Sequence, residues 1–188
     1  QNQIVTISNA QNEYIIDQIR EELEENMHWS VFNFLLHSLF TISENYFPIL
    51  ETLNKEQQKI SKLLRKKTTK DNLFRLSDME IEGMYLVSAT KQNAVVLEQL
   101  KTQQAFKELD DSEREQLEDN IIEANQLVEM TDLHLQILHQ IANTYNNVLN
   151  NNLNDTMKFL TGISILMTIP DIVTGFFGMN VQDRKSVV

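Results

Sequence analysis

Between residues 159 and 181 this chain of 188 residues carries one formal charge, Asp171. A helix rises about 1.5 Å per residue, so the run spans roughly 35 Å, enough to cross a hydrocarbon core of about 30 Å. It is not apolar all round. Thr161, Ser164, Thr168, Asp171 and Gly175 recur at alternating spacings of three and four, which places them on one helix face. Polar groups at membrane depth are tolerated only against protein or water. A helix lining a water-filled path accounts for the stripe; a lone lipid-facing anchor does not.

The same register runs backwards through Gln136, Gln140, Asn143, Asn147, Asn150, Asn154 and Met157. Beside it lies an apolar seam of Leu117, Ile121, Ala124, Val128, Leu135, Leu138, Ala142, Tyr145 and Leu149, broken only by Thr131. One very long helix is therefore expected from about Ser112 to about Asn180, roughly 100 Å at helical rise. A period near three and a half residues predicts packing against copies of itself or against other long helices. The amide-rich seam would face a shared axis.

Two short motifs on this helix resemble a known family. Gly178-Met179-Asn180, preceded by Phe177, resembles the Gly-Met-Asn signature of the CorA family of divalent-cation channels. Asn154-x-x-Met157-Lys158-x-Leu160-Thr161 resembles that family's entry into its first membrane helix, and Asn45-Tyr46-Phe47-Pro48-Ile49-Leu50 a stretch of its cytoplasmic helices. The resemblance implies a homopentamer with five copies of the long helix around a pore. It also implies Mg²⁺ as substrate and as cytosolic regulator, and N-terminal helices on the cytoplasmic side of the cell (inner or plasma) membrane. Two departures stand out. Pro170 lies one place later than the family pattern, and Asp171 falls where a neutral hydroxyl residue is commoner.

Roles follow for individual residues. By the resemblance, Gly178, Met179 and Asn180 form the outer mouth, the Asn180 amide holding an ion's water shell and Gly178 allowing close backbone approach. Asn154, with Asn150 and Asn147, gives polar rings at the cytoplasmic end, and Met157 and Leu160 give apolar constrictions that close by dewetting. Thr161, Ser164, Thr168 and Asp171 would line the path between. A buried lone carboxylate is costly, so Asp171 is expected to face pore water. Glu118, Asp119 and Glu123 offer the oxygen ligands that a hard cation prefers, to be joined by acids of a neighbouring subunit. Asp119 falls where the family's regulatory stalk carboxylate lies.

Composition narrows the rest. The formal charge of −11 argues against nucleic acid or anionic lipid surfaces as the main partner. There is no cysteine, hence no disulfide framework and no thiolate zinc site. His28, His37, His134 and His139 show no paired ligand spacing. No nucleophile elbow or phosphate-cradling glycine loop is present, and three of four glycines sit in the uncharged run. Neither catalysis nor an organic cofactor is expected. The competing readings are a Zn²⁺, Co²⁺ or Ni²⁺ transporter on the same scaffold and a membrane-anchored coiled-coil scaffold without transport.

The expected fold is mainly α: a cytoplasmic helical region over 1–111, a stalk helix over 112–156, a pore-lining membrane helix over 157–181 and a truncated loop over 182–188. A second membrane helix and most of a preceding α/β part are expected to lie outside the sequence. Ile4, Val5 and Ile7 are expected to form a remnant strand. An amphipathic helix spans residues 11–26 and ends in Glu21, Glu22, Glu24 and Glu25, a solvated acidic face. A second helix, capped by Ser30 and bent or interrupted at Pro48, runs to about Leu64. It makes an antiparallel hairpin with a third over about 72–104. Lys59, Lys62, Arg65, Lys66, Lys67 and Lys70 cluster at the hairpin turn. Such a patch can bind phosphate or lipid headgroups, but it has no aromatic interleaving; the reading preferred is that it offsets acidic neighbours in the folded chain.

Overall fold

A computed structural model describes residues 4–66 and 68–178. Among the described residues five α-helices follow one another: α1 (Glu13–Glu25), α2 (Val31–Glu44), α3 (Tyr46–Lys66), α4 (Lys70–Thr102) and α5 (Asp111–Gly178). A 3₁₀ turn, Gln104–Glu108, lies between α4 and α5. The chain divides into two compact units, Gln1–Ala142 and Asn143–Val188. The expected strand is not formed. Residues 4–9 are irregular and, from Val5 onward, exposed, because the described residues include no second strand to pair with them.

The first unit is built on helix starts. Ser30 Oγ accepts from Asn33 N at 3.0 Å, capping α2 as expected. At the start of α5, Glu113 N donates to Asp110 Oδ1 at 2.7 Å and Asp110 N to Glu113 Oε2 at 3.1 Å, a reciprocal capping box. The other Glu113 oxygen accepts from the Ser30 hydroxyl. A buried carboxylate thus serves two helix N-termini at once, where both dipoles favour negative charge.

The interruption expected at Pro48 falls three residues earlier, at Asn45. A proline in mid-helix would lose a hydrogen bond and clash with the carbonyl four residues back. Restarting the helix at Tyr46 leaves Pro48 in the first turn, where no intrahelical donor is needed. Asn45 Nδ2 covers the break by donating to Thr41 O at 2.8 Å and to Gln18 Oε1 at 3.2 Å. Thr69 then caps α4 through Asn72 N at 3.2 Å.

Side-chain pairs set the helix directions within this unit. Lys91 meets Asp132 at 3.0 Å, Glu80 meets His139 at 2.8 Å and Lys101 meets Glu118 at 3.5 Å, so α4 and α5 are antiparallel. Asn120 donates to Leu36 O at 3.1 Å and Asn54 meets His134 at 2.9 Å, so α2 and α3 run with α5. Leu36, Ala94, Leu97, Leu109, Leu117, Ile121 and Ala124 form one buried cluster. The apolar seam of α5 is therefore spent on other helices of its own chain as far as Leu138, the second of the two partners expected for it. Gly83 permits this closeness: a Cβ there would lie 3.3 Å from Leu135 Cδ1.

The one polar break in that seam is matched. Thr131 is 1% exposed and its Oγ1 lies 3.0 Å from Oγ1 of Thr90, itself 1% exposed. The hydroxyls also lie 3.0 and 3.1 Å from Val128 O and Val87 O. His134, 3% exposed, shares the polar layer; with Asn54 Oδ1 accepting from Nδ1–H, Nε2 is left a buried acceptor without a partner among the described residues. Burial holds the His134 pKa below the ordinary value of 6.5, since a proton on Nε2 would add a charge and an unpaired donor.

Two stability measurements follow. Two hydroxyl hydrogens serve three contacts, so Thr131→Val alone should cost about 1 kcal/mol, and adding Thr90→Val should recover most of it. Chemical unfolding of the two singles and the double, read by circular dichroism, checks this; a fully additive double would contradict it. For His134 the folded chain binds the proton less readily than the unfolded chain. Stability should be level above about pH 6.5 and fall as pH drops through the window beneath it. Melting curves between about pH 7.5 and about pH 5.5 should show this decline, and His134→Gln should flatten it.

Candidate pore and regulatory sites

In the second unit, α5 continues as a single exposed helix; every residue from 150 to 178 is solvent-accessible. This segment makes α5 long and apolar enough to cross a membrane. Lys158 and Asp155 pair at 3.2 Å just ahead of the uncharged run, both well exposed. Asn154, Met157 and Thr161 border a shallow groove on the helix surface with Lys158, Gly162 and Ile165. Met157 and Leu160, read as constrictions, are exposed.

The hydroxyl stripe has a uniform geometry. Thr161 Oγ1 donates to Met157 O at 2.8 Å, Ser164 Oγ to Leu160 O at 3.0 Å and Thr168 Oγ1 to Ser164 O at 2.8 Å. Each hydroxyl returns its proton to the carbonyl one turn back, so no unsatisfied donor is carried to membrane depth. Pro170 sits inside the helix and has no N–H for Leu166 O. One turn later Thr174 Oγ1 donates to Pro170 O at 2.9 Å. Asp171 follows the proline and is exposed. Gly178 is the last residue of α5, with open space around its Cα. Met179 and Asn180, assigned to the outer mouth, lie outside the described residues, as does the loop over 182–188.

The candidate regulatory acids are not drawn together by this chain alone. Glu118 pairs with Lys101 across the α4–α5 hairpin. Asp119 is exposed and borders a cleft with His37, Phe40, Gln116 and Asn120. Glu123 is half-buried one turn on from Asp119. Among the described residues no group of three or more His, Cys, Asp or Glu side chains is placed to hold a metal ion.

Other polar groups at this end were not singled out by sequence. Asn120 is 2% exposed, and its Nδ2 is fixed by Leu36 O and Gln116 O at 3.1 and 2.8 Å. Its Oδ1 is consequently turned away, and neither it nor Gln116 Oε1 has a partner among the described residues. Glu22 is not a plain solvated acid: it accepts from Thr41 Oγ1 at 3.0 Å and meets His37 Nε2 at 3.1 Å. The signal that could have found Asn120 is its place in the seam between Leu117 and Ala124, where water cannot satisfy an amide.

A helical hairpin packed on the base of a very long helix, whose far part is suited to a bilayer, defines a membrane protein with a helical extramembrane unit. A family model described as CorA-like Mg²⁺ transporter protein matches residues 1–183, and the chain belongs to that family. A solved structure titled the complete structure of CorA magnesium transporter, from Methanocaldococcus jannaschii, is similar with a TM-score of 0.78 at 21% identity. The similarity covers 90% of this chain and 55% of that one, so the chain spans little more than half of the solved protein. At this identity the likeness speaks to the fold. No curated protein matches the sequence.

Proposed function

We propose that the intact protein is a divalent-cation channel that passes Mg²⁺ down its electrochemical gradient, with α5 lining the pore. The observation that carries this reading is the stripe of Thr161, Ser164, Thr168 and Asp171 on an otherwise uncharged helix of membrane length, in a chain of a Mg²⁺ transporter family. The working assembly is a homopentamer in the cell membrane with α1–α4 in the cytoplasm. Asn154, Met157 and Leu160 gate the inner end, and Gly178, Met179 and Asn180 receive the hydrated ion outside. Asp171 repeats as a ring of carboxylates facing water, since a charge turned toward lipid would be too costly.

Regulation belongs to the same reading. Asp119 and its neighbours are acidic, and among the described residues no ligand group is completed around them. A second subunit supplies the remaining oxygens, and Mg²⁺ between them offsets the repulsion of like charges in the closed state. A ligand can bias gating only through such a difference in affinity between states.

Two variants test these assignments. Asn180→Ala should abolish Mg²⁺ uptake by the intact protein while leaving its assembly unchanged. Uptake of Mg²⁺ and Zn²⁺ into proteoliposomes, compared side by side, checks the residue and the ion together. Asp119→Lys should shift the inhibition of conduction by internal Mg²⁺ to higher concentration, by roughly tenfold if about 1.4 kcal/mol of closed-state binding is lost. An inhibition curve identical to that of the unaltered channel would remove Asp119 from the sensor.

A further inference from the structure

Half of the basic residues of this acidic chain lie in one short segment. Residues 55–75 hold eight of the 16 Lys and Arg but only two of the 27 Asp and Glu. The segment is the end of α3, the turn and the start of α4. Among the described residues, which do not include Lys67, the expected offset by acidic neighbours is seen only at Lys55. Lys55 pairs with Glu51 four residues away, but Lys59, Lys62, Arg65, Lys66 and Lys70 form no ion pair among the described residues, and all five are exposed. Meanwhile α3 turns Gln57, Ile60 and Leu64 inward, so the lysine face is the outward one.

This basic surface is not purely polar. Leu63 is 42% exposed and shares a helix face with Lys59 and Lys66, four residues before and three after. Phe74 is 69% exposed, one turn beyond Lys70 on α4. Basic side chains around an exposed leucine and phenylalanine have the chemistry of a surface that settles on anionic headgroups, the charges attracting and the apolar groups entering the interface.

Direction supports the same partner. Within the first unit α3 runs with α5, and α4 pairs with α5 from Lys101–Glu118 to Glu80–His139. The turn lies ten residues past Glu80, about 15 Å by helical rise. Within the first unit it is therefore at the same end as Ala142, where α5 leaves that unit. We propose that the α3–α4 tip is a docking surface for the anionic lipid headgroups of the bilayer that α5 crosses. This rests on the membrane reading given above.

Thr68→Cys places a labelling position at the turn in a stretch that has no cysteine of its own, any cysteine elsewhere in the intact protein being changed to Ser beforehand. The intact protein, labelled there with a fluorophore, is placed in nanodiscs of phosphatidylcholine alone or mixed with phosphatidylglycerol, each doped with a headgroup nitroxide quencher. Quenching should be roughly twofold or more stronger in the anionic discs and should weaken as salt is raised. It should be lost when Lys59, Lys62, Arg65 and Lys66 are all changed to Glu, or to Gln if the Glu variant loses helix content. Phe74→Ser should reduce what remains at high salt. Equal quenching in the two kinds of disc, or quenching indifferent to the charge changes, would overturn the proposal. So would an emission change produced by inorganic phosphate in neutral discs with no effect of phosphatidylglycerol, which would assign the patch to a soluble anion. Failure of the protein to enter discs of either composition would instead overturn the membrane reading, and this inference with it.

Discussion

Glu113 is the joint on which the first unit depends. One of its oxygens closes the capping box at the start of α5 and the other receives the Ser30 hydroxyl at the start of α2. Two helices that begin 80 residues apart are thus pinned at a common level. Everything above inherits that level: Asn120 reaches Leu36 O, Thr131 meets Thr90, and His134 meets Asn54. A carboxylate buried among apolar side chains would be a liability, but here two helix dipoles and two donors, the Ser30 hydroxyl and Asp110 N, serve it. Register along nearly parallel helices is otherwise weakly specified by leucines, which pack acceptably after a shift of one turn. The polar contacts forbid such a shift, because each displaced group would be left buried and unpaired.

Much of this was legible in the sequence because periodicity and caps are local. The α5 seam from Leu117 to Leu138, the Ser30 cap and the hairpin of α3 with α4 follow from spacing and residue type alone. What local pattern could not name was the partner. The seam of α5 asks for an apolar neighbour, and α2 and α4 of the same chain supply it as well as a second copy would. Thr131 reads as a flaw until Thr90, 41 residues away, is placed opposite. Glu22 reads as one acid among four until Thr41 and His37 are seen to turn it inward. The short alternating run at Ile4, Val5 and Ile7 was misleading for the opposite reason, since a strand exists only by virtue of a neighbour.

The candidate site divides along the same line. The hydroxyl stripe of the uncharged run was visible as a pattern, and its side-chain geometry follows from the helix. The carboxylates proposed as regulatory were visible only as composition. Glu118 turned out to be engaged by Lys101, while Asp119 borders a cleft beside Asn120. A metal site shared between subunits cannot be read from one chain's sequence, because the pairing of its ligands is a property of the assembly.

The back-bonded hydroxyls of α5 have a consequence for what could travel beside them. Thr161, Ser164 and Thr168 have each committed their hydrogen to a carbonyl of their own helix. What they present outward is lone pairs. A hydrated cation orients its water oxygens inward and its water hydrogens outward, so its surface is a shell of donors. A hydrated anion shows the reverse. A face of oxygens without free hydrogens therefore meets the shell of a cation as an acceptor lattice, and offers the shell of an anion nothing to receive. In the pore proposed above, charge sign would be sorted by the orientation of the ion's own water, before any ligand displaces it.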